Sequence, residues 1–379
     1  MDDFPAREYW GKIHRMNREM IELYSDYLLA SYGQTTATGL SKLLEGDLSH
    51  DQITRFLRQE EHLSKNLWQL AKPLVRKIQY SDGVLIVDDT FIPKPYCETN
   101  GLVEWYYNGA SKKVEKGINI ITVYYRGNDS LGVNGVPVGC EAIRKEPVWN
   151  KKKEKEEMKS KKTKNEYCRE MLQACKQNNI DFKYVLMDSW YSGQENMNFI
   201  VKDLKKSFIV SLKENRTVKR KNSAGEITWV GEIQNLPWGK TEVEEVYVDE
   251  VEFPVYVTRI IFRNEDESTG IMYLGSDDKD LIRDQMLKIY QKRWGVEEFY
   301  RSAKTNASLG KSSASVPGSQ IKHILCSMYA YIKLEWMKMG SGMNHYAMRS
   351  RMYLGALRGS MRELKKMRKS INYDPREIA

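Results

Sequence analysis

The chain has 379 residues, which is long enough for two or three domains with sizeable hydrophobic cores. No apolar run approaches the ~18–20 residues of a membrane-spanning helix, which excludes a membrane protein and predicts a soluble, cytoplasmic one. Lysine and arginine total 60 against 51 aspartates and glutamates, and the net charge of +9 suits a polyanionic partner. The five cysteines lack the spacing of zinc ligands, so we expect reduced thiols.

Positive charge is concentrated in two segments. Residues 151–164 contain eight lysines and three glutamates, and residues 349–369 contain eight arginines and lysines with one glutamate. We interpret the first segment as a mobile loop or an exposed helix end. The second coincides with a predicted helix near residues 347–369, whose charge favours binding to a nucleic-acid backbone over a merely solvated face.

The first 80 residues have the apolar periodicity of helices, as at Met20, Ile21, Tyr24 and Leu28. Two short helices are predicted at residues 36–44 and 50–58. A turn that contains Gly46 separates them, and Ser49 is a plausible N-cap of the second.

These two short helices are compatible with a helix-turn-helix motif that binds DNA, and equally with an ordinary helical hairpin. In the first interpretation, Gln52, Arg55 and Arg58 face outward as DNA contacts. Apolar residues of the same helix then pack inward, namely Ile53, Phe56 and Leu57.

From residue 83 onward strands alternate with helices, which indicates an α/β fold. Residues 84–89 form a continuous apolar run, typical of a strand buried on both faces. Further elements follow in chain order: strands at 118–125 and 136–142, a helix at 164–177, a strand at 182–188, a helix at 195–205 and a strand at 207–212. Short segments between 213 and 275 predict a β-rich block. Helices return from about residue 280, and the one at 321–337 is apolar enough to pack on the sheet.

The segment from residue 290 to 304 carries four polar side chains at helical spacing: Tyr290, Arg293, Glu297 and Lys304. At about 100° per residue, one continuous helix would present all four on a narrow stripe, unless Gly295 breaks it. A carboxylate among cations suits a metal site that also binds phosphate.

This spacing resembles the Tyr-x2-Arg-x3-Glu-x6-Lys motif of the insertion-sequence DDE transposases. The resemblance implies two upstream aspartates at strand ends, and Asp89 and Asp188 fit that description. They are 99 residues apart, and Glu297 follows Asp188 by 109 residues. The long second interval matches the β-rich insertion that the family places before its catalytic glutamate. The resemblance covers roughly residues 83–304.

The resemblance implies an α/β fold with a ribonuclease-H-like mixed-sheet core. It also implies a β-rich insertion before the last catalytic helix, and helical N- and C-terminal regions. We expect the following domains: a helical DNA-binding domain at 1–80, the first part of the core at 81–212, the insertion at 213–275, the rest of the core at 276–340 and a basic helical region at 341–379.

The chemistry implied is metal-dependent DNA cleavage followed by strand transfer, in cut-and-paste transposition. Asp89, Asp188 and Glu297 would be the catalytic residues and would hold two Mg²⁺ ions, or Mn²⁺ ions in their place. Tyr290, Arg293 and Lys304 would contact DNA. The implied partner is double-stranded DNA, both transposon ends and target, bound by a homodimer in a synaptic complex. Such a protein would be bacterial and associated with the nucleoid.

Several alternatives stay open. Asp88 competes with Asp89, because successive strand residues face opposite ways, and we choose Asp89 because it directly precedes Thr90. Arg293 and Lys304 would otherwise be surface cations that pair with Glu297, and Tyr290 a core residue. Four tryptophans would either stack on an unpaired base or belong to the core, namely Trp190, Trp229, Trp238 and Trp294. The chain itself would otherwise be an inactive transposase-derived DNA-binding regulator or a stand-alone ribonuclease-H-like nuclease.

Overall fold

The structure is a computed structural model that describes residues 6–59, 62–109, 111–239, 242–263 and 267–370. The N-terminal helices are α1 (Ala6–Ala30), α2 (Ala37–Leu43), α3 (His50–Arg58) and α4 (Leu63–Ile78). The central elements are β1 (Val84–Pro93), β2 (Glu104–Asn108), β3 (Lys113–Arg126), β4 (Val136–Ala142), β5 (Glu146–Asn150), β6 (Lys155–Lys159), α5 (Lys164–Gln177), β7 (Tyr184–Met187), α6 (Gln194–Asn198) and β8 (Ser207–Leu212). The remaining elements are β9 (Thr217–Lys221), β10 (Ile227–Glu232), β11 (Glu244–Val246), β12 (Val255–Arg263), β13 (Thr269–Ser276), α7 (Arg283–Tyr290), α8 (Trp294–Asn306), α9 (Pro317–Ser341) and α10 (His345–Ser370).

A large mixed sheet forms the centre of the molecule. Its strand order is β11-β12-β13-β8-β7-β1-β3-β2, and β4 also pairs with β3. β1 runs parallel to β7 and antiparallel to β3, while β7 runs parallel to β8. The first four residues of β1 are buried, as an apolar strand covered on both faces requires. This mixed α/β fold, with its helical N- and C-terminal regions, is that of a ribonuclease-H-like core.

Helices cover the sheet and join the terminal regions to it. α9 contacts α1, α3, α4 and α8, and its predicted apolar face is buried at Ile324, Leu325 and Met328. α4 packs against β4, so the N-terminal helices are in contact with the core. None of the helices in the described ranges is long and apolar enough to cross a membrane.

Residues 151–154 lie in a turn, whereas residues 155–159 differ from the sequence-based interpretation because they form the strand β6. They belong to the hairpin of β5 and β6, in which Glu146 pairs with Lys159 and Asn150 with Lys155. Only from Lys164 onward does the predicted helix begin, and there α5 has the predicted bounds. The short strand β2, which forms a hairpin with β3, was also missed.

The segment between β8 and α7 is rich in strands. β9 and β10 form a separate two-stranded sheet. β11, β12 and β13 continue the large sheet instead, because β13 pairs antiparallel with β8. The insertion anticipated at residues 213–275 therefore extends the edge of the core sheet as well as adding a hairpin to it.

Candidate active site

The motif segment forms two helices joined by a tighter turn. α7 ends at Tyr290, a 3-10 turn covers Gln291–Arg293, and α8 begins at Trp294. The premise of one continuous helix is therefore wrong, and the interruption lies before Gly295. Because a 3-10 turn has fewer residues per turn than an α-helix, the motif side chains reach the sheet at separate points.

The two ends of the motif are anchored in the protein. The Tyr290 hydroxyl donates to the carbonyl oxygen of Met187, the last residue of β7, at 3.3 Å. Lys304 Nζ donates to Thr90 Oγ1 on β1 at 2.8 Å. Burial raises the pKa of Tyr290 to about 12 and lowers the pKa of Lys304. These contacts hold α7 and α8 against β7 and β1, and the role of both residues as DNA contacts stays a prediction.

Arg293 lies between carboxylates that come from two different elements. Its Nη2 donates to Glu297 Oε1 on α8, and its Nη1 lies 3.8 Å from Asp88 Oδ2 on β1. The side chains of Arg293 and Asp88 are only 18% and 17% exposed. Charges at such a partly buried position interact more strongly than they do in water. The guanidinium therefore links strand β1 to helix α8 through two acidic side chains.

Asp188 directly follows β7 and is half-buried. Its Oδ1 accepts a hydrogen bond from the Trp190 backbone N–H at 2.9 Å, and its carbonyl oxygen accepts one from the Tyr191 N–H at 3.2 Å. These bonds fold the chain after β7 into a turn. Since Val87 pairs with Met187 in the parallel ladder of β1 and β7, Asp188 lies beside Asp88.

The neighbouring residues Asp88 and Asp89 face opposite sides of the sheet, as the alternation of a strand requires. Thr90 shares the Asp88 face, and its contact with Lys304 shows that α8 covers this face. Tyr300 of α8 also donates to the Asp88 carbonyl oxygen at 2.9 Å. The Asp88 side chain is therefore directed towards the helix that carries Glu297.

Asp89 has its own set of hydrogen-bond partners, although its charge also helps to raise the pKa of Asp188. Its Oδ2 accepts hydrogen bonds from Asn119 Nδ2 at 3.1 Å and Lys164 Nζ at 2.7 Å, and its Oδ1 accepts one from the Tyr191 hydroxyl at 2.9 Å. These donors belong to β3, to the first residue of α5 and to the turn after Asp188. The structure thus brings Asp88, rather than Asp89, to the side of Glu297.

In the cluster around Arg293, burial disfavours the charged form of the two aspartates, Asp88 and Asp188. Burial raises the pKa of Asp88 to about 7, and the nearby charges of Asp188 and Asp89 act in the same direction, while Arg293 opposes them. Burial likewise raises the pKa of Asp188, against the lowering effects of the Trp190 N–H and Arg293. A bound divalent cation would reverse this balance, because it favours the charged carboxylates.

The carboxylate side chains of this cluster have the chemistry of ligands for a divalent cation. Within the ranges that the structure describes, no three His, Cys, Asp or Glu side chains are already grouped as the ligands of one ion. Carboxylate oxygens are nonetheless the ligands that Mg²⁺ and Mn²⁺ prefer, and the position of Arg293 shows that a positive charge is accepted among them. Asp88, Asp188 and Glu297 would hold the ion, and Glu297 would first have to leave Arg293.

The family models match the part of the chain that contains these residues. The model described as DDE superfamily endonuclease matches residues 8–225, which is more than half of the chain. The chain belongs to the DDE superfamily endonucleases. A second model, Transposase DDE domain, matches residues 159–326 of the endonuclease. Comparison with curated proteins finds no match.

The family match determines the general activity. The endonuclease is a DDE-type nuclease of the transposase kind, and its partner is DNA. DDE nucleases generally use divalent metal ions, which agrees with the carboxylate chemistry of the cluster. The first match spans Asp88, Asp89 and Asp188, whereas Glu297 lies only in the second.

The N-terminal region of the endonuclease has the packing that the helix-turn-helix interpretation requires. Ile53, Phe56 and Leu57 are buried, whereas Gln52, Arg55 and Arg58 are exposed. The predicted N-cap is confirmed, because Ser49 and Gln52 form a reciprocal capping box. The Gln52 side chain is therefore used at the helix start. Contact of these residues with DNA stays a prediction.

The tryptophans of the endonuclease are not equivalent. Trp190 is 72% exposed and Trp294 is 51% exposed, so neither is a core residue. Trp238 is half-buried and stacks on Tyr273, with ring centroids 6.1 Å apart. Trp229 is half-buried in β10. Of the four, Trp190 lies nearest in sequence to a predicted catalytic residue, and its N–H is bonded to Asp188.

The Asp89 cluster was missed by sequence reasoning. Tyr191 has a recognisable signal, because it belongs to the Asp-x-x-Tyr pattern after β7. Asn119 and Lys164 have none, since their contacts depend on how β3 and α5 meet β1. For the choice of catalytic residue between Asp88 and Asp89, the sequence did contain a signal. Strand alternation places Asp88 on the same face as Thr90 and Asp89 on the other face.

Proposed function

We propose that the chain is the DNA transposase of an insertion sequence, from the group with the Tyr-Arg-Glu-Lys motif. It binds the terminal inverted repeats, cleaves DNA at the element ends and transfers the strands to a target in cut-and-paste transposition. The observation that carries this proposal is the grouping of Asp88, Asp188 and Glu297 around Arg293, with the motif helices held on β1 and β7.

The catalytic carboxylates in this proposal come from β1, the end of β7 and α8. Asp188 and Glu297 are the sequence-predicted residues, and side-chain direction favours Asp88 over Asp89 for the third. When bound, two Mg²⁺ ions, or Mn²⁺ in their place, supply charge neutralisation at the scissile phosphate and activate the attacking hydroxyl. Arg293 contacts Glu297 and lies 3.8 Å from Asp88, and once free of these carboxylates its guanidinium would bind a phosphate oxygen.

The test of this function uses linear DNA that ends in the inverted repeats flanking the gene. Purified protein with Mg²⁺ should cut at the repeat ends and join the released 3′-hydroxyl ends to a second DNA. Cutting without joining would indicate the stand-alone nuclease. Binding to the repeats without cutting, in either Mg²⁺ or Mn²⁺, would indicate the inactive DNA-binding regulator.

We further propose that the active species is a homodimer on two DNA ends, in which one chain binds an end that its partner cuts. The resemblance motivates this arrangement, together with basic regions in separate parts of the chain. A Glu297→Ala chain mixed with an intact-site chain that cannot bind the repeats should restore cleavage. Efficient cutting of one isolated end by a monomer would overturn this arrangement.

A further inference from the structure

The hairpin of β5 and β6 is separate from the large sheet. Its strands pair only with each other, from Glu146 with Lys159 to Asn150 with Lys155, and they form a two-stranded sheet of their own. Most of its residues are exposed, including those on both faces of β5. An isolated two-stranded hairpin is only marginally stable in water, so this exposure is unusual for an element that serves the core alone.

One face of this hairpin neutralises its own charges. Glu157 accepts from Asn150 Nδ2 at 2.8 Å and lies 3.0 Å and 3.3 Å from the Nζ atoms of Lys153 and Lys159. This network holds the two strands together. Lys153 and Lys159 are consequently occupied within the hairpin.

The tip and the other face have no such internal partners. Among the described residues, Lys151, Lys152 and Lys155 form no ion pair, and all three are exposed. Trp149, which is 59% exposed, and Met158, which is 40% exposed, lie on the face opposite Glu157. Glu154 at the tip and Glu156 beside Trp149 are also exposed and, among the described residues, form no ion pair. The tip therefore carries three unpaired lysines against one glutamate, next to an uncovered aromatic and apolar surface.

The root of the hairpin lies close to the candidate active site. Lys161, just after β6, pairs with Glu146 at 3.0 Å, and Lys164 at the start of α5 lies 2.7 Å from Asp89. Asp89 adjoins Asp88 on β1 but faces the other side of the sheet, so the root lies beside the strand that carries the site and on the opposite face from Glu297. Five-residue strands at about 3.3 Å per residue extend roughly 17 Å, so the tip reaches well beyond the root.

We propose that the β5–β6 hairpin is a DNA-binding arm, which lies in a groove of the duplex next to the site of cleavage. A two-stranded ribbon has the width that the major groove admits, at about 12 Å. Lys151, Lys152 and Lys155 then contact phosphates, and Trp149 packs against the sugar or base edges. This inference rests on the proposed function, because it takes the DNA to be that which the carboxylates cut.

Duplex DNA is favoured over a second copy of this chain by the charge of the tip. At the tip the three unpaired lysines outnumber Glu154, so two copies that met through it would bring the same net positive charge together, and like charges repel. DNA instead provides a regular array of phosphates, and each lysine that contacts one releases counterions.

The test measures how the affinity for DNA depends on salt, without divalent ions, so that no cleavage is needed. The probe is a 40-base-pair duplex that ends in the flanking inverted repeat, compared with a random duplex of about the same length. Replacing Lys151, Lys152 and Lys155 by alanine should lower the slope of log K against log salt by about 0.9 for each lysine. Trp149→Ala should weaken binding about tenfold with little change in slope.

The matched control is Lys153→Ala with Lys159→Ala, which removes two cations that Glu157 already occupies. The slope of log K against log salt should differ from the wild-type slope much less in this double variant than in the double variant Lys151→Ala with Lys152→Ala. Equal changes in the two pairs would mean a general charge effect and would overturn the arm. If the slope of the lysine variants equals that of the wild type, and these variants without DNA sediment as a different oligomer from the wild type, the surface binds a second copy of this chain instead of DNA.

The inference and the proposed function fail separately. If the wild-type protein cleaves the repeat ends but the hairpin variants keep the full slope, the arm is wrong and the nuclease assignment stands. If the slope falls as expected but no cleavage occurs in Mg²⁺ or Mn²⁺, DNA binding by the arm stands and the proposed transposition does not. Thermal unfolding of each variant shows whether its fold is intact.

Discussion

The two faces of β1 show how adjacent identical residues acquire different chemistry. Asp88 is directed towards α8, where Asp188, Arg293 and Glu297 surround it, and burial raises its pKa to about 7. Asp89 is directed towards α5, where three separate donors satisfy its carboxylate. A carboxylate that is short of hydrogen-bond donors is suited to a cation. One that is fully bonded is suited to holding elements together.

The largest expected effect is on cleavage when each aspartate is changed in turn. Asp88→Asn should reduce the rate of end cleavage at least about 10³-fold, because it removes a charged ligand from the site. Asp89→Asn should reduce it less than about tenfold and mainly lower the Tm. Single-turnover cleavage, with the affinity for Mn²⁺ as a second readout, measures both. An inactive Asp89→Asn protein that folds normally beside an active Asp88→Asn protein would restore the sequence-based choice of Asp89.

Two adjacent glutamates on α8 provide a matched comparison on the opposite side of the same site. Glu297→Gln should abolish cleavage and leave DNA binding unchanged, whereas Glu298→Gln should retain near-normal cleavage. The reason is that the two side chains point about 100° apart on the helix, and only Glu297 contacts Arg293. Comparable loss in both variants would show that the face of α8, rather than one carboxylate, matters.

The pH dependence of stability should differ between the two faces of β1 in the metal-free protein. The folded-state pKa of Asp88 is raised, so its contribution to stability is fully present below about pH 4. That contribution is lost as the pH rises towards about 7. Asp88→Asn should therefore raise the Tm at pH 8 by a few degrees, while Asp89→Asn lowers it. Thermal unfolding between pH 5 and pH 8.5 tests this, and an Asp88→Asn protein with the wild-type profile would contradict it.

The smallest expected effect concerns the Tyr191 hydroxyl, which bonds Asp89. Tyr191→Phe removes one hydrogen bond and should cost about 1 kcal/mol of unfolding free energy, with cleavage changed less than about threefold. Urea unfolding and cleavage assays on the same preparation measure the two effects. A loss of cleavage without loss of stability would mean that the Asp89 cluster takes part in catalysis.

The elements with strong local signals were predictable from the sequence. The bounds of α5 and β8 follow from helix capping at Thr163 and from a short apolar strand run, and the structure confirms both. The end of β7 was equally predictable, and with it the position of Asp188. These features depend on residues close together in the chain, so the local pattern is sufficient.

Other features could not be read from the local sequence pattern. Asp88 and Asp89 both lie within β1, which continues to Pro93 beyond the predicted strand end, and only the packing of α8 on one face distinguishes them. The hairpin of β5 and β6 reads as a charged loop because its lysines dominate the composition, whereas cross-strand pairing determines its shape. Likewise, the 3-10 turn at Gln291–Arg293 interrupts a segment with helical spacing.

The sequence by itself determined most elements of the core and their order, the mixed α/β class and the candidate acids at Asp188 and Glu297. Periodicity and short motifs carry this information, because backbone propensity and burial act over a few residues. Only the tertiary structure decided which β1 carboxylate meets them, how β11–β13 extend the sheet and where the lysine-rich hairpin projects. These outcomes depend on which surfaces pack together between distant parts of the chain, as where Tyr300 bonds Asp88, and local pattern does not encode that choice.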